Sequence, residues 1–366
     1  MLTTEEAQTF LDQRLAAFPA YVRAAVQRVK VLFRPRRKHG SEYDPVTPEW
    51  LDRLGETLPL LSSLSLNRCV LPLTASHTAA LPVRLREVNL SNTHGRAVTD
   101  ALGPLSRLVG LECLAATATH RPSVNLPLSA WPGLRRLVLD TCTGDSYANL
   151  LDAVLASPCA ATLESLDLRT WGSEGLAKWW PQVGALPALT EFGFSAEDGS
   201  ADGCEAAVAA AISPARLDVL MMSSVSPDLA SAMLVECGGA TPPTRMRTLW
   251  CDLPFGSDGA ALVSDLPVTL ETLRLGGFEL DRDDVFALLD RCPRLAALCC
   301  APSLQSGLPA LVEAGPARPL IISCRNDVGQ SLNDLDKAGH DWKSILQMRI
   351  GWRTAGGFEI IPRSWL

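Results

Sequence analysis

Histidine spacing is the first feature of this chain that could support chemistry. His94 and His120 occupy the same place in two adjacent copies of a sequence repeat, so their imidazoles could begin a transition-metal site. Such sites generally need three or four ligands, and the next copy of the repeat has Thr143 at this place. We therefore expect two surface histidines and no metal.

The second candidate is a pair of adjacent cysteines, Cys299 and Cys300. A nucleophilic cysteine needs a nearby base, and the nearest histidine in sequence is His340, in the C-terminal tail. The sequence also has no G-x-x-x-x-G-K-S/T, G-x-G-x-x-G, H-E-x-x-H, C-x-x-C or G-x-S-x-G motif in a suitable context. We expect a protein that is not an enzyme, with no catalytic residue and no cofactor.

Positive charge is concentrated in one segment, Lys30–His39, which contains Arg34, Arg36, Arg37 and Lys38. The whole chain carries a net charge of −7, which disfavours general nucleic-acid binding because such proteins usually have a strongly basic surface. A contact with nucleic acid is therefore expected only through these four residues. The alternatives for the segment are a nuclear-import-like signal and a solvated loop.

The candidates His94, His120, Cys299 and Cys300 lie in a stretch organised by a nine-residue repeat, which occurs ten times between Leu61 and Ser303 at intervals of 23 to 29 residues. Clear copies are Leu61–Cys69 and Leu134–Cys142. The copies begin at Leu61, Leu85, Leu111, Leu134, Leu163, Leu189, Leu217, Met246, Leu270 and Leu295. Positions one, four and six are apolar in every copy. A period in this range predicts a solenoid.

Alternation within the repeat predicts one short strand per copy. Positions three to seven form the strand, so positions four and six face the core while positions three, five and seven face outward. Stacked copies would pair as a parallel sheet. The intervening segments must cover the other side, and several are predicted to be helices: Tyr147–Ala156, Gly175–Val183, Cys204–Ile212, Asp228–Cys237 and Asp283–Arg291. The predicted fold class is an α/β solenoid.

The outward face changes from polar in the earlier copies to apolar and small in the later ones. Trp250 occupies position five between Met221 and Arg274, so these three side chains should be neighbours. An exposed apolar cluster usually marks a contact surface, and Trp and Arg are enriched at binding hot spots. The predicted partner-binding residues are Val219, Met221, Trp250, Arg274, Cys299, Asp167 and Arg169. The alternative is that the C-terminal tail folds back over this cluster.

The repeated phrase resembles the leucine-rich repeat, L-x-x-L-x-L-x-x-N/C-x-L, over about two thirds of the chain. This resemblance implies a horseshoe with short parallel strands on the concave face and helices or irregular turns on the convex face. The irregular period is more similar to the ribonuclease-inhibitor-like and cysteine-containing types. No copy has asparagine at position nine, which reads Cys69, Thr93, Thr119, Cys142, Trp171, Glu197, Val225, Pro254, Phe278 and Ser303. We therefore expect less uniform turns, especially from Trp171 onward.

The two ends depart from the repeat, as solenoid caps do. We predict a helical N-terminal cap over 1–56, about eleven repeats over 57–324 and a C-terminal cap or tail over 325–366. Within the N-terminal cap the predicted elements are helices Glu5–Leu15 and Tyr21–Val31 and an edge strand near Val29–Arg34. A degenerate eleventh strand is predicted at Leu320–Cys324.

The expected location is intracellular, cytoplasmic or nuclear. The N-terminus shows no signal peptide, no stretch is apolar enough to span a membrane, and eleven cysteines without an export signal are typical of free thiols. The predicted function is a non-catalytic scaffold or adaptor that binds an unidentified protein partner, as a subunit of a larger assembly or alone. Alternatives are a ubiquitin-ligase substrate receptor and a ribonucleoprotein subunit that uses residues 30–39.

Overall fold

The structure is a computed structural model that describes residues 13, 15, 17–32, 46–67, 75–90, 103–118, 126–141, 145–170, 181–195, 209–210, 214–238, 245–257, 259–278, 280–300, 320–324 and 346–348. The chain divides into two compact units, Met1–Leu217 and Asp218–Leu366. Among the described residues, no helix has the length and apolar character needed to cross a bilayer.

The first unit contains a parallel sheet in which each strand pairs with the next strand along the chain. Its described strands are β1 (Arg28–Leu32), β2 (Ser63–Asn67), β3 (Glu87–Leu90), β4 (Cys113–Ala118), β5 (Arg136–Thr141), β6 (Ser165–Thr170) and β7 (Glu191–Ser195). Its described α-helices are α1 (Ala20–Ala25), α2 (Pro48–Thr57), α3 (Ala75–Ala80) and α4 (Asp145–Leu155). Short 3-10 helices lie in the connections at Gly103–Arg107, Leu128–Ala130, Pro158–Ala161 and Pro214–Arg216, and the third of these follows α4 before β6.

The second unit repeats this arrangement. Its described strands are β8 (Val219–Ser223), β9 (Thr248–Ser257), β10 (Thr272–Phe278), β11 (Ala297–Cys300), β12 (Leu320–Cys324) and β13 (Leu346–Met348). Its described helices are α5 (Pro227–Gly238), α6 (Gly259–Asp265) and α7 (Arg282–Arg291). The start of α5 is fixed by the Ser226 hydroxyl, which accepts a hydrogen bond from the Leu229 backbone N–H at 3.2 Å, and proline stands at its first position.

The predicted alternation of faces is confirmed. Every residue at positions one, four and six is buried, except that the side chain of Cys300 lies outside the described residues. Paired strands place equal positions side by side; Leu137, for example, lies in register between Leu114 and Leu166. The core of each unit is therefore a set of stacked apolar side chains beneath one face of its sheet.

A turn before position one extends the repeat by three residues, and the sequence prediction missed it. The backbone N–H of the residue at position one donates to the carbonyl three residues earlier, as in Leu61 to Leu58 (3.0 Å), Leu111 to Leu108 (2.9 Å) and Leu134 to Trp131 (3.1 Å). The first residue of each of these turns is buried. Each turn thus adds one core side chain and redirects the chain into the strand.

Most predicted elements agree with the structure. The helices predicted at Tyr147–Ala156, Asp228–Cys237 and Asp283–Arg291 are confirmed as α4, α5 and α7, and the eleventh strand is confirmed as β12. The segments predicted as helices at Gly175–Val183, Cys204–Ile212 and Glu5–Leu15 fall largely outside the described residues.

The helix predicted over Tyr21–Val31 is wrong in its second half. The helix α1 ends at Ala25, and residues from Arg28 form β1, which pairs with β2. The edge strand predicted near Val29–Arg34 is thereby confirmed, and pairing explains the outcome: the Gln27 carbonyl accepts from the backbone N–H groups of Ser62 and Ser63, both at 2.9 Å. Pairing with the sheet outweighs a weak helical pattern.

The later strands vary more in length and register than the predicted five-residue strand at positions three to seven. The strand β9 has ten residues, and the register between β9 and β10 shifts between Gly276 and Phe278. Ser224, which directly follows β8, has a left-handed φ of 56°. The tail, for which no strand was predicted, contributes β13, which pairs in parallel with β12. These irregularities agree with the expectation of less uniform turns late in the chain.

Candidate functional site

The candidate site is the group of outward residues Val219, Met221, Trp250, Arg274 and Cys299, called the Trp250 surface below. Strand pairing places its position-five residues in one row: Met221 lies opposite Trp250, Trp250 opposite Arg274, and Arg274 opposite Cys299. Val219 lies two residues before Met221 and so on the same side of β8. The prediction that Met221, Trp250 and Arg274 are neighbours is therefore confirmed within the second unit.

Trp250 and Arg274 form one stacked pair. The Arg274 guanidinium carbon lies 3.5 Å from the centroid of the Trp250 ring, which is the geometry of a close cation–π contact. The stacking covers part of the indole face, and the Arg274 side chain itself is only 18% exposed. The surface therefore presents an ordered tryptophan–arginine pair rather than a bare aromatic ring.

Asp252 holds this pair together. Its Oδ2 accepts a hydrogen bond from Trp250 Nε1 at 2.7 Å and another from Arg274 Nη2 at 3.4 Å. Its own backbone carbonyl accepts from the Ser224 N–H at 2.8 Å. Asp252 thus fixes both the indole plane and the guanidinium, and it pairs the one positive charge of the Trp250 surface with a carboxylate.

Gly276 makes room for Asp252. The two residues lie opposite each other in β10 and β9. A Cβ atom placed on Gly276 would overlap Asp252 Oδ1 and Cγ, so the Asp252 side chain would have to shift. The sequence prediction missed Asp252 and Gly276, although both stand at position seven and therefore on the outward face. The strand period of two was the signal that could have found them.

Burial differs among the predicted surface residues. Val219, Trp250 and Cys299 are partly exposed, whereas Met221 is only 8% exposed. Met221 can therefore support the indole from the side but offers little area of its own to a partner.

The first unit carries the other two predicted residues. Asp167 lies in β6, in register with Val138 and Gly193, and is only 5% exposed. Arg169 lies in the same strand at position seven, and its side chain is outside the described residues. The outward face here is polar, as predicted: Arg28 Nη2 reaches Glu87 Oε1 at 3.5 Å across Ser63, which is buried between them in the same row.

Four of the described thiols, those of Cys113, Cys237, Cys251 and Cys292, are poor nucleophiles. Burial raises the pKa of Cys113 to about 11 and the pKa values of Cys237 and Cys292 to about 12. Burial also raises the pKa of Cys251, which is fully enclosed. Because the thiolate is the reactive form, these residues act as core or surface packing groups near neutral pH.

Other candidate chemistry falls partly outside the described residues. His94, His120, His340 and the segment Arg34–His39 lie there, so their predicted roles stay predictions. Within the described part of the chain, no three His, Cys, Asp or Glu residues are grouped as metal ligands would be. Lys30 in β1 is largely exposed, and the partial loss of hydration around its ammonium group lowers its pKa.

Each unit is a stack of parallel strands in which positions one, four and six are buried. Helices or 3-10 turns connect the end of one strand to the start of the next. These features define an α/β leucine-rich-repeat fold.

No known protein family and no curated protein matches the sequence. Three solved structures similar to this chain are an internalin (inlF) from Listeria monocytogenes, a chain of the Rad7–Elc1 complex of yeast, and the leucine-rich-repeat protein LegL7 from Legionella pneumophila. The internalin is 14% identical, with 96% of this chain and 94% of that chain covered and a TM-score of 0.39. The yeast chain is 15% identical, with 96% and 85% covered and a TM-score of 0.47. LegL7 is 15% identical, with 82% and 91% covered and a TM-score of 0.42.

Proposed function

We propose that this chain is a non-catalytic scaffold or adaptor that binds a protein partner through the outward faces of its parallel strands. In the second unit the contact is the Trp250 surface, and in the first unit it includes Asp167 and Arg169. The chain acts on its own or as a subunit of a larger assembly. The repeat subtype that fits this proposal is the irregular, ribonuclease-inhibitor-like and cysteine-containing one.

The observation that carries the proposal is the stacked Trp250–Arg274 pair on an outward strand face. Tryptophan and arginine are the residue types most enriched among side chains that dominate binding energy. Both are already held in one conformation, by stacking and by Asp252. These two side chains therefore lose little conformational entropy when a partner binds, which favours affinity.

The environments of Cys113 and Cys292 suit packing rather than catalysis, which supports a binding role. A cysteine nucleophile needs a lowered pKa and a base, whereas burial raises the pKa of Cys113 to about 11 and that of Cys292 to about 12. Buried thiols of this kind persist in a reducing compartment, so the location that fits the proposal is cytoplasmic or nuclear.

The test is quantitative affinity purification with the tagged full-length chain and two matched variants. Trp250→Ala removes the centre of the Trp250 surface, and Val109→Ala removes a more exposed apolar side chain from a turn of the first unit. We expect Trp250→Ala to lose a reproducible set of partners that Val109→Ala retains. Recovery of the same partners by both variants contradicts the proposal.

Two further variants separate binding from folding. Arg274→Lys keeps the charge but removes the planar group that stacks on the indole, so it should weaken partner recovery without unfolding the chain. In the first unit, Asp167→Asn removes a negative charge with little change in side-chain shape, so it should likewise weaken partner recovery without unfolding the chain. Circular dichroism and the urea midpoint of each variant must match the wild type before a loss of binding is scored.

A further inference from the structure

We infer that the segment received by the Trp250 surface is an uncharged peptide rich in aromatic or aliphatic side chains, and that Gly276 positions the surface to receive it. The inference rests on the proposed function and deepens it, because it names the chemistry of the partner and the residue that shapes the contact.

The outward residues of the Trp250 surface and its neighbours carry little charge. At positions three and five of β8 to β11 the outward residues are Val219, Met221, Thr248, Trp250, Thr272, Arg274, Ala297 and Cys299. Arg274 is the one formal charge among these eight residues, and Asp252 pairs with it at 3.4 Å. The outward positions of β1 to β7 differ sharply, since they carry Arg28, Lys30, Glu87, Arg136, Asp167 and Glu191.

A surface whose charges are already paired favours uncharged partner side chains. A charged partner side chain would give up its hydration against groups whose charges already offset each other, and this exchange is unfavourable. An aromatic or aliphatic side chain has no comparable hydration to lose. It can lie on the exposed part of the Trp250 ring or on the guanidinium plane of Arg274, and it gains from the apolar area it buries.

Gly276 controls the position of Asp252. Asp252 can occupy its place only because Gly276 has no side chain, since a Cβ atom there would overlap Asp252 Oδ1. A displaced carboxylate could no longer hold Trp250 Nε1 at 2.7 Å or Arg274 Nη2 at 3.4 Å. Gly276 thus acts through Asp252, as a positioning residue two strand positions away from the stacked pair.

The positioning role is tested by the indole N–H resonance of Trp250 in the full-length chain, assigned with Trp250→Phe. We expect Gly276→Ala and Asp252→Ala each to move this resonance, because each removes its hydrogen bond to a carboxylate. In the double variant Gly276→Ala should add nothing to Asp252→Ala, since residues that act as one unit are not additive. Gly133→Ala is the control, because a Cβ there meets nothing within 4 Å. An unmoved resonance in Gly276→Ala, or additive shifts, overturns this role.

The partner chemistry is tested by panning a library of random displayed dodecapeptides against the full-length chain. We expect enriched sequences that are uncharged and rich in aromatic or aliphatic residues. The best peptide, measured by fluorescence anisotropy, should lose about thirtyfold in affinity with Trp250→Ala, the loss typical of a hot-spot residue. Gly276→Ala should lose about tenfold or more, and Gly133→Ala should match the wild type.

The other outcomes separate the inference from the proposed function. Charged peptides that need Trp250 would overturn the inference and leave the proposed surface standing. Peptides that bind Trp250→Ala as tightly as the wild type would count against both. A library that yields no binder contradicts the inference. If the enriched sequences match residues 349–366, or a synthetic peptide of those residues binds best, the occupant is the chain's own tail and no partner peptide is needed.

Discussion

Leu137 and Val138 are adjacent in β5 but are predicted to respond very differently to truncation. Leu137 stands at position four, is fully buried and stacks in register between Leu114 and Leu166. Replacing it with alanine removes three carbon atoms from a core whose neighbours are fixed by strand pairing. The resulting cavity should cost about 2 to 5 kcal/mol of unfolding free energy. Val138 faces outward and is half-buried, so Val138→Ala should cost roughly 1 kcal/mol or less.

The assay is urea-induced unfolding followed by circular dichroism, with the difference taken from midpoint shifts at a common slope. Because the chain has two compact units, each transition is fitted separately, and the shift should fall on the transition of the first unit. The reasoning is refuted if Val138→Ala costs as much as Leu137→Ala, or if Leu137→Ala costs less than about 1 kcal/mol. Either result would mean that alternate positions of the strand do not face a core and an outward surface.

Three further predictions concern caps, ion pairs and thiols. Asp281→Ala breaks the capping box of α7, in which Asp281 accepts from the Asp284 N–H at 2.9 Å, and should lower the unfolding free energy of the second unit by about 1 kcal/mol in urea. The exposed pair Arg135–Glu164, at 3.3 Å, should contribute under about 1 kcal/mol in a double-mutant cycle. Burial raises the pKa of Cys292 to about 12, so the folded chain keeps this proton above about pH 9 while the unfolded chain releases it. Stability should therefore fall as pH rises from about 9 to 11, and less steeply in Cys292→Ala, by urea midpoint.

Each of these has a clear opposing result. An unchanged midpoint in Asp281→Ala would show that the start of α7 does not depend on its cap. A coupling energy of several kcal/mol between Arg135 and Glu164 would show that the pair is not solvent-screened. Equal alkaline slopes in the wild type and Cys292→Ala would show that this thiol is not protected by burial.

The sequence predicted the sheets well because their cause is local and repeated. Apolar residues at positions one, four and six can be buried together only if the copies stack in register, as Leu114, Leu137 and Leu166 do. The turn before position one was missed, although its buried first residue, such as Leu108 or Trp131, follows the same period. The alternation of the strand begins at position three, so the sequence pattern of the strand does not reach these upstream residues.

Long-range pairing explains the other misses. Whether residues after Ala25 continue a helix or join a sheet depends on β2, which begins 35 residues after β1 does, at Ser63 rather than Arg28. The site shows the same limit. Sequence register placed Trp250 beside Arg274, but only atomic contacts show that Asp252 binds both and that Gly276 leaves the space for it.

The central claim is that alternate residues of each strand face a packed core and an outward surface, and hydroxyl-radical footprinting of the native chain tests it in one measurement. Methionine and tryptophan side chains both react rapidly with hydroxyl radical, but Met222 and Met246 are fully buried while Trp250 is partly exposed. The account predicts oxidation at Trp250 and strong protection of both methionines relative to the urea-unfolded chain. Native oxidation of Met222 and Met246 at their unfolded rates, with Trp250 protected, would contradict it.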